Sequence, residues 1–304
     1  MSESRGLLLV LCTALVSGVS IFLNSFAVSG FNPFAFTFLK NALVAVFLLS
    51  LILLLKESHA LKSLSKRKWL SLAAIGLVGG SIPFLLFFYA LKLSTPATAG
   101  FVHKTLFLWA TVFAIVFLRE KISKGFLAGA LLLLAGNFIF FGPVSFGFPE
   151  LLVLGATVLW AAENVISKHV LRNTQANIVM FGRMFFGSAF ILTFLALTNQ
   201  FQFVLSISFP QVQWLLLTSA LLFLFVFTYY SGLKHIPVHK ATSILLLAQP
   251  ITAVLSFAFL GKQIAFNQAI GLVLIVVGAI LVVGFSLVLS TVKRRAVSLV
   301  GIKS

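Results

Sequence analysis

Aspartate is absent from this 304-residue chain, five glutamates are its whole acidic complement, cysteine occurs once, and only 9% of residues carry charge. One thiol, Cys12, excludes an intrachain disulfide and a dithiol redox motif. No glycine-rich loop ending in lysine is present, so an ATP site is excluded. His235 and His239 have helical spacing, but Pro237 between them breaks the regular turn that would aim both rings at one metal. No metal or other cofactor is expected, and the chain does not read as an enzyme. The scarcity of charge is equally restrictive, because a soluble domain carries about a quarter charged residues.

What is abundant is oil. Hydrophobic residues make up 61% of the chain, with 35 phenylalanines. Apolar runs approach or exceed the ~20 residues that cross a bilayer. Apolar windows, read against Gly, Pro and charge breaks, predict ten helices at about 6–28, 33–55, 69–91, 96–117, 124–142, 149–168, 177–198, 212–232, 238–259 and 264–289. The fold class is therefore an all-α membrane protein. Arg5 followed by "GLLLVLCTALVSGVS" has the look of a secretory signal; it is read instead as the first span, because it has a counterpart later in the chain.

The formal charge of +17 invites a nucleic-acid reading, which the positions of the bases exclude. With the N-terminus placed in the cytoplasm, seventeen Lys and Arg fall inside, Lys92 and Lys262 outside, and Lys40, Lys104 and Arg183 within spans. That is the positive-inside pattern of an integral inner-membrane protein with both termini cytoplasmic.

The chain repeats itself. Adding 142 carries Leu91-Lys92 onto Leu233-Lys234, Phe117-Leu118 onto Phe259-Leu260, Gly129 onto Gly271 and Gly136 onto Gly278. Upstream, adding 143 carries "LVL" at 9–11 onto "LVL" at 152–154, and Lys40 onto Arg183. Halves of 1–144 and 145–292 result, followed by a basic tail at 293–304. Five spans per half is odd, so the second half enters the membrane from the opposite side, the construction of many secondary transporters.

Several segments resemble the drug/metabolite transporter superfamily, EamA type. "LCTALVSGVSIFLN" resembles its opening segment, with Ser17 where tryptophan is common, and "NPFAFTFLKNALVAVFLL" its second helix, with Lys40 at the usual arginine. "FLREKIS" resembles the turn after its fourth helix, and "LLAQPITAVLSFAFLGKQI" its ninth helix. Gln249 stands where an acidic residue is frequent, helix four lacks the matching proline, and Lys262 replaces the second turn's glutamate. The resemblance implies ten helices in two inverted five-helix repeats, with helices one, three, four, six, eight and nine around a pocket. It also implies a substrate class that includes amino acids and amphipathic compounds.

Four ionisable side chains lie within spans: Lys40, Lys104, Glu163 and Arg183. Each costs roughly 3 kcal/mol at a helix centre on insertion scales, so none is expected to face lipid. Lys40 and Arg183 read as structural ties or as secondary ligand contacts. Lys104, beside His103, reads as a substrate contact, a salt-bridge partner of Glu163, or a cavity-solvated cation. Trp160, Glu163 and Ser167 share a helix face, and Glu163 is a candidate proton carrier or a plain counter-charge. Ser17, Asn24 and Gln249 lie on polar faces that are either packed contacts or a cavity wall. Trp109, Trp160, Tyr89, Tyr229 and Tyr230 are candidate aromatic lining or interfacial anchors, Tyr89 above all an anchor. Pro83 and Pro250 are expected to kink their helices.

The expected function is secondary transport of a small organic metabolite, outward, by alternating access. The coupling is to protons or a counter-solute, and the carrier is a monomer or homodimer in the lipid bilayer. An in-span excess of positive charge adds an anionic group to the expected solute. The alternatives are an exchanger of phosphorylated metabolites or nucleotide-sugars, a passive channel, and a membrane-embedded lipid enzyme.

Overall fold

A computed structural model describes residues 3–27, 30–93, 96–143 and 146–284. The basic tail at 293–304, and the last residues expected in the tenth helix, lie outside the described residues. Every regular element among the described residues is helical. Among the described residues ten helices are long and apolar enough to cross a membrane: Glu3–Ala27, Pro33–Leu54, Lys66–Leu91, Ala97–Leu118, Lys124–Phe141, Phe148–Leu171, Ala176–Leu197, Phe209–Leu233, Val238–Leu260 and Phe266–Val283. They are numbered here as spans one to ten. The charged connection before Trp69 holds a short helix, Ser58–Lys62, and the uncharged one before Trp214 another, Gln202–Leu205.

The bundle is inside-out by the standards of a soluble protein. Leu54, Phe117, Leu131 and Phe266 are all widely exposed, an arrangement that suits acyl chains as solvent. Burial is greatest in spans six and seven, where 56% and 61% of the most apolar window is covered. These two spans hold the middle of the bundle, and Glu163 and Arg183 lie on them.

Local sequence starts and stops the spans. Asn32 caps span two, its Oδ1 accepting from the N–H groups of Phe34 and Ala35 with Pro33 at the first helical position. Spans four and nine stop in the same way. Arg119 and Gly261, which the 142-residue shift equates, are both left-handed, with φ of 56° and 62°. The next N–H then folds back onto the helix: Glu120 donates to the Ala114 carbonyl at 3.1 Å, and Lys262 to the Ser256 carbonyl at 3.3 Å. Arg119 holds here a backbone shape that glycine adopts without strain.

Three spans are interrupted. Span three divides at Ser81 into Lys66–Gly80 and Ile82–Leu91. Span four divides at Thr105 into Pro96–Lys104 and Leu106–Leu118. Span nine passes through a 3₁₀ turn, Leu245–Leu247, between Val238–Ile244 and Ala248–Leu260. The sequence leads one to expect kinks at Pro83 and Pro250 and a continuous fourth helix. Both prolines sit just after a break, where a kink is expected, but span four also breaks, at Thr105, with its proline, Pro96, only at its start. At Thr105 the hydrogen-bond ladder tightens to three-residue steps, its N–H donating to Val102 at 3.1 Å and its carbonyl accepting from Leu108 at 2.9 Å.

Spans five and ten pack through the glycines that define the repeat. A methyl on Gly136 would lie 2.7 Å from the Gly271 carbonyl oxygen, and one on Gly129 2.7 Å from that of Gly278. The contacts are reciprocal and run in opposite directions along the two helices, so the spans are antiparallel. Only glycine permits backbones this close in a membrane bundle. Gly271→Val is expected to lower stability by about 1–3 kcal/mol, read as a drop in the thermal midpoint in detergent. Gly125→Ala, whose added methyl meets nothing nearer than 3.9 Å, should leave the midpoint in place.

Candidate functional site

The site begins with a missing N–H. Proline at position 83 cannot donate to the carbonyl four residues back, which belongs to Gly79. In hydrocarbon that oxygen needs another donor. It has two: Trp160 Nε1 of span six at 3.1 Å and Arg183 Nη2 of span seven at 3.0 Å. The adjoining Gly80 carbonyl accepts from Asn41 Nδ2 of span two at 2.9 Å. The glycines allow this convergence, since a methyl on Gly79 would collide with the Glu163 side chain and one on Gly80 would sit 2.7 Å from the Arg183 carbonyl oxygen.

Around this break a buried polar network assembles on one face of span six. Glu163 Oε1 accepts from Ser167 Oγ and from the Tyr230 hydroxyl, each at 2.5 Å, and lies 3.9 Å from Arg183 Nε. Asn164 Nδ2 donates to the Trp160 carbonyl at 2.8 Å, and the Tyr229 hydroxyl donates to Asn164 Oδ1. Glu163 and Arg183 are 3% and 7% exposed, which closes them off from lipid. The partner of Glu163 is thus Arg183, and Lys104 forms no ion pair with it.

His103 approaches this network through rings. Its centroid lies 4.9 Å from Trp160 and 5.4 Å from Phe87, both edge-on, and Phe84 closes on Trp160 at 5.1 Å. Nδ1 of His103 is buried with no hydrogen-bond partner among the described residues. Lys104, at the end of the first segment of span four, is half-buried and forms no hydrogen bond or ion pair among the described residues. Gln249, just past the 3₁₀ turn of span nine, is 6% exposed with both amide atoms unpartnered. Breaks in spans four and nine therefore carry polar atoms that the protein does not satisfy.

The remaining expected residues go elsewhere. Trp109 lines an apolar groove of about 400 Å³ with Phe101, Thr105, Leu108, Phe146 and Leu154, apart from the Glu163 network. Tyr89 is half exposed, as an interfacial anchor would be. Asn24 joins Lys40, whose Nζ donates to its Oδ1 at 3.2 Å, and Ser17 is half-buried without a hydrogen bond among the described residues. Sequence reasoning did not single out Gly79, Gly80, Asn41 or Asn164. Counting four residues back from Pro83 would have found Gly79. Asn164 lies next to Glu163 and one turn from Trp160, on the face already drawn.

At one end of the bundle the connection between spans eight and nine is clamped from two sides. Pro237 leaves the Leu233 carbonyl without its helical donor, and Lys168 Nζ of span six supplies one at 2.7 Å while also reaching the Ile236 carbonyl at 2.8 Å. Glu120, in the turn after span four, accepts from the Val238 N–H at 2.8 Å and from His239 Nδ1 at 2.5 Å. Burial alone would raise the Glu120 carboxyl, but these hydrogen bonds outweigh it and hold the group below the usual carboxylate range.

Removing one member of the buried pair should be costly. Arg183→Met strands the Glu163 carboxylate and takes a donor from Gly79, a loss of about 3–5 kcal/mol. Arg183→Met combined with Glu163→Leu should recover much of it, and thermal denaturation of the purified variants reads both.

The sequence matches the EamA-like transporter family over residues 4–142 and again over 147–284. An uncharacterized transporter of Clostridium kluyveri is 25% identical over 228 residues, 69% of this chain and 70% of that protein. The uncharacterized inner membrane transporter YhbE of Escherichia coli is 23% identical over 185 residues, 58% of each chain. A solved crystal structure, 22% identical, superposes with a TM-score of 0.75 over 92% of this chain and 96% of its own, which shows the fold alone. With the family matched in both halves and ten apolar spans around a buried polar network, the chain is a multi-pass membrane transporter and belongs to the EamA-like transporter family.

Proposed function

We propose that this transporter is a secondary carrier that moves a small organic metabolite with an anionic group outward across the inner membrane, by alternating access between two inverted five-span halves. One observation carries the reading. The interruptions of spans four and nine carry polar side chains with atoms unpartnered among the described residues, those of His103, Lys104 and Gln249. In a membrane such atoms call for water or a polar solute. Interrupted helices are where many transporters bind, because irregular backbone at membrane depth is tolerated where it lines a cavity or is buried in protein. The reciprocal antiparallel glycine contacts of spans five and ten support the inverted arrangement, and the excess of basic residues on one side supports cytoplasmic termini.

In this reading Lys104 attracts the solute's anionic group, His103 and Gln249 hydrogen-bond it, and the Phe84–Phe87–Trp160 cluster takes its apolar part. Glu163 is the counter-charge of Arg183, so the drive is exchange against a counter-solute and not a proton carried on Glu163. The interrupted spans are the bending points, and the glycine-packed pair of spans five and ten is the fixed seam.

Two variants test this. In proteoliposome counterflow with carboxylate solutes, Lys104→Leu should reduce flux about tenfold or more, the loss of one charge-assisted hydrogen bond, with the protein still folded and inserted. Unchanged flux would reject the assignment. Gln249→Leu should do two opposite things: raise the thermal midpoint, because it removes a buried unsatisfied amide worth about 1–3 kcal/mol, and reduce flux. A packing residue would lose stability instead.

A further inference from the structure

The 143-residue shift that equates Lys40 with Arg183 also carries Ser20 onto Glu163 and Asn24 onto Ser167. The geometry follows the shift. In span six Ser167 donates to Glu163 one turn earlier, at 2.5 Å. In span one Asn24 Nδ2 donates to Ser20 Oγ one turn earlier, at 3.0 Å. In each half a basic side chain from the next span reaches this pair, Arg183 towards Glu163 and Lys40 to Asn24 Oδ1 at 3.2 Å.

Two things differ, and both leave the first half short of negative charge. Glu163 balances Arg183, whereas Ser20 gives Lys40 nothing to balance. Arg183 also has the Gly79 carbonyl that Pro83 frees in span three, while span eight, the counterpart of span three, runs unbroken from Phe209 to Leu233 and frees none. Lys40 is left with one amide oxygen and the face of the Phe36 ring at 4.9 Å. A half-buried ammonium with so few partners among the described residues lacks the compensation that a desolvated charge requires. Moreover, Ser20, Asn24 and Lys40 are each half-buried, where Glu163, Ser167 and Arg183 are buried.

We propose that Lys40, Asn24 and Ser20 form an anion-receiving subsite, where a solute carboxylate takes the place that Glu163 fills in the second half. The assignment rests on the carrier reading and adds to it a second contact for the solute's acid group, on the opposite half from Glu163. Ser20 and Asn24 supply hydrogen bonds and Lys40 the charge, so the group recognised is a carboxylate or an anion of similar size.

The test reads charge and access without transport. In a Cys12→Ser background, which removes the chain's single thiol, Ser20→Cys is labelled with anionic sulfonatoethyl methanethiosulfonate and with the cationic trimethylammonioethyl reagent. Each rate is divided by the reagent's rate with 2-mercaptoethanol. The anionic reagent should be favoured about fivefold or more, as one unbalanced charge in partial solvent predicts, and Lys40→Gln should remove the preference. Asn24→Cys is a second reporter, and Ser20→Glu beside it, which restores the second half's carboxylate, should also abolish the preference. No preference, a cationic preference, or no labelling by either reagent would overturn the proposal. Labelling is repeated in neutral phosphatidylcholine nanodiscs and in discs containing phosphatidylglycerol. Equal rates are expected, and slower labelling in the anionic discs would give the position to a lipid headgroup and overturn the solute reading. The carrier reading itself stands or falls on counterflow, so the two failures are separable.

Discussion

A carbonyl oxygen in hydrocarbon has no water to turn to, and leaving one unpaired costs several kcal/mol. The architecture of this transporter is organised around that rule. Pro83 releases the Gly79 oxygen, and the molecule answers with Trp160 and Arg183 from two other spans. Pro237 releases the Leu233 oxygen, and Lys168 answers from span six. Each repair is a long side chain crossing between helices, so a local defect in one span becomes a tie between several. Two of the basic residues in so apolar a sequence, Arg183 and Lys168, are donors that make these defects tolerable. Arg183 in turn requires Glu163, and Glu163 gathers Ser167 and Tyr230, so one absent N–H recruits an entire buried network.

The duplicated halves share geometry more than chemistry. Spans four and nine end in matching left-handed caps and break at equivalent depths, and the glycines of spans five and ten face each other reciprocally. Yet the break in span three has no counterpart in span eight, and the position of Glu163 on span six is held by Ser20 on span one. Two halves that fold alike can thus be charged differently. A carrier needs common geometry for its two access states, but its binding site need not be symmetric.

Much of this was legible in the sequence, for a physical reason. Spans are set by length and apolarity, which a lipid solvent enforces residue by residue, and their ends were found within a few positions, apart from the end of the tenth, whose last expected residues lie outside the described ones. Gly129, Gly136, Gly271 and Gly278 were visible as a repeat because close packing tolerates nothing larger. The partner of Glu163 was harder. The sequence named Lys104 as the candidate, and only the crossing of spans three, six and seven brought Arg183 to Glu163. The role of Trp109 was not legible, because an aromatic ring suits a pocket, a lipid groove or an interface equally well. The break at Thr105 left no proline to announce it. Its signal is a fit to neighbours, and a single chain read end to end does not contain that.

Glu120 holds the start of span nine through two backbone N–H groups and the His239 ring. At the equivalent turn the chain carries Lys262, exposed and of the wrong sign to accept such hydrogen bonds. One mouth of the bundle is fastened by a clasp that the other mouth cannot copy. The two turns are therefore fastened unequally: the one after span four is tied to the start of span nine by a carboxylate, and the one after span nine offers an ammonium in its place.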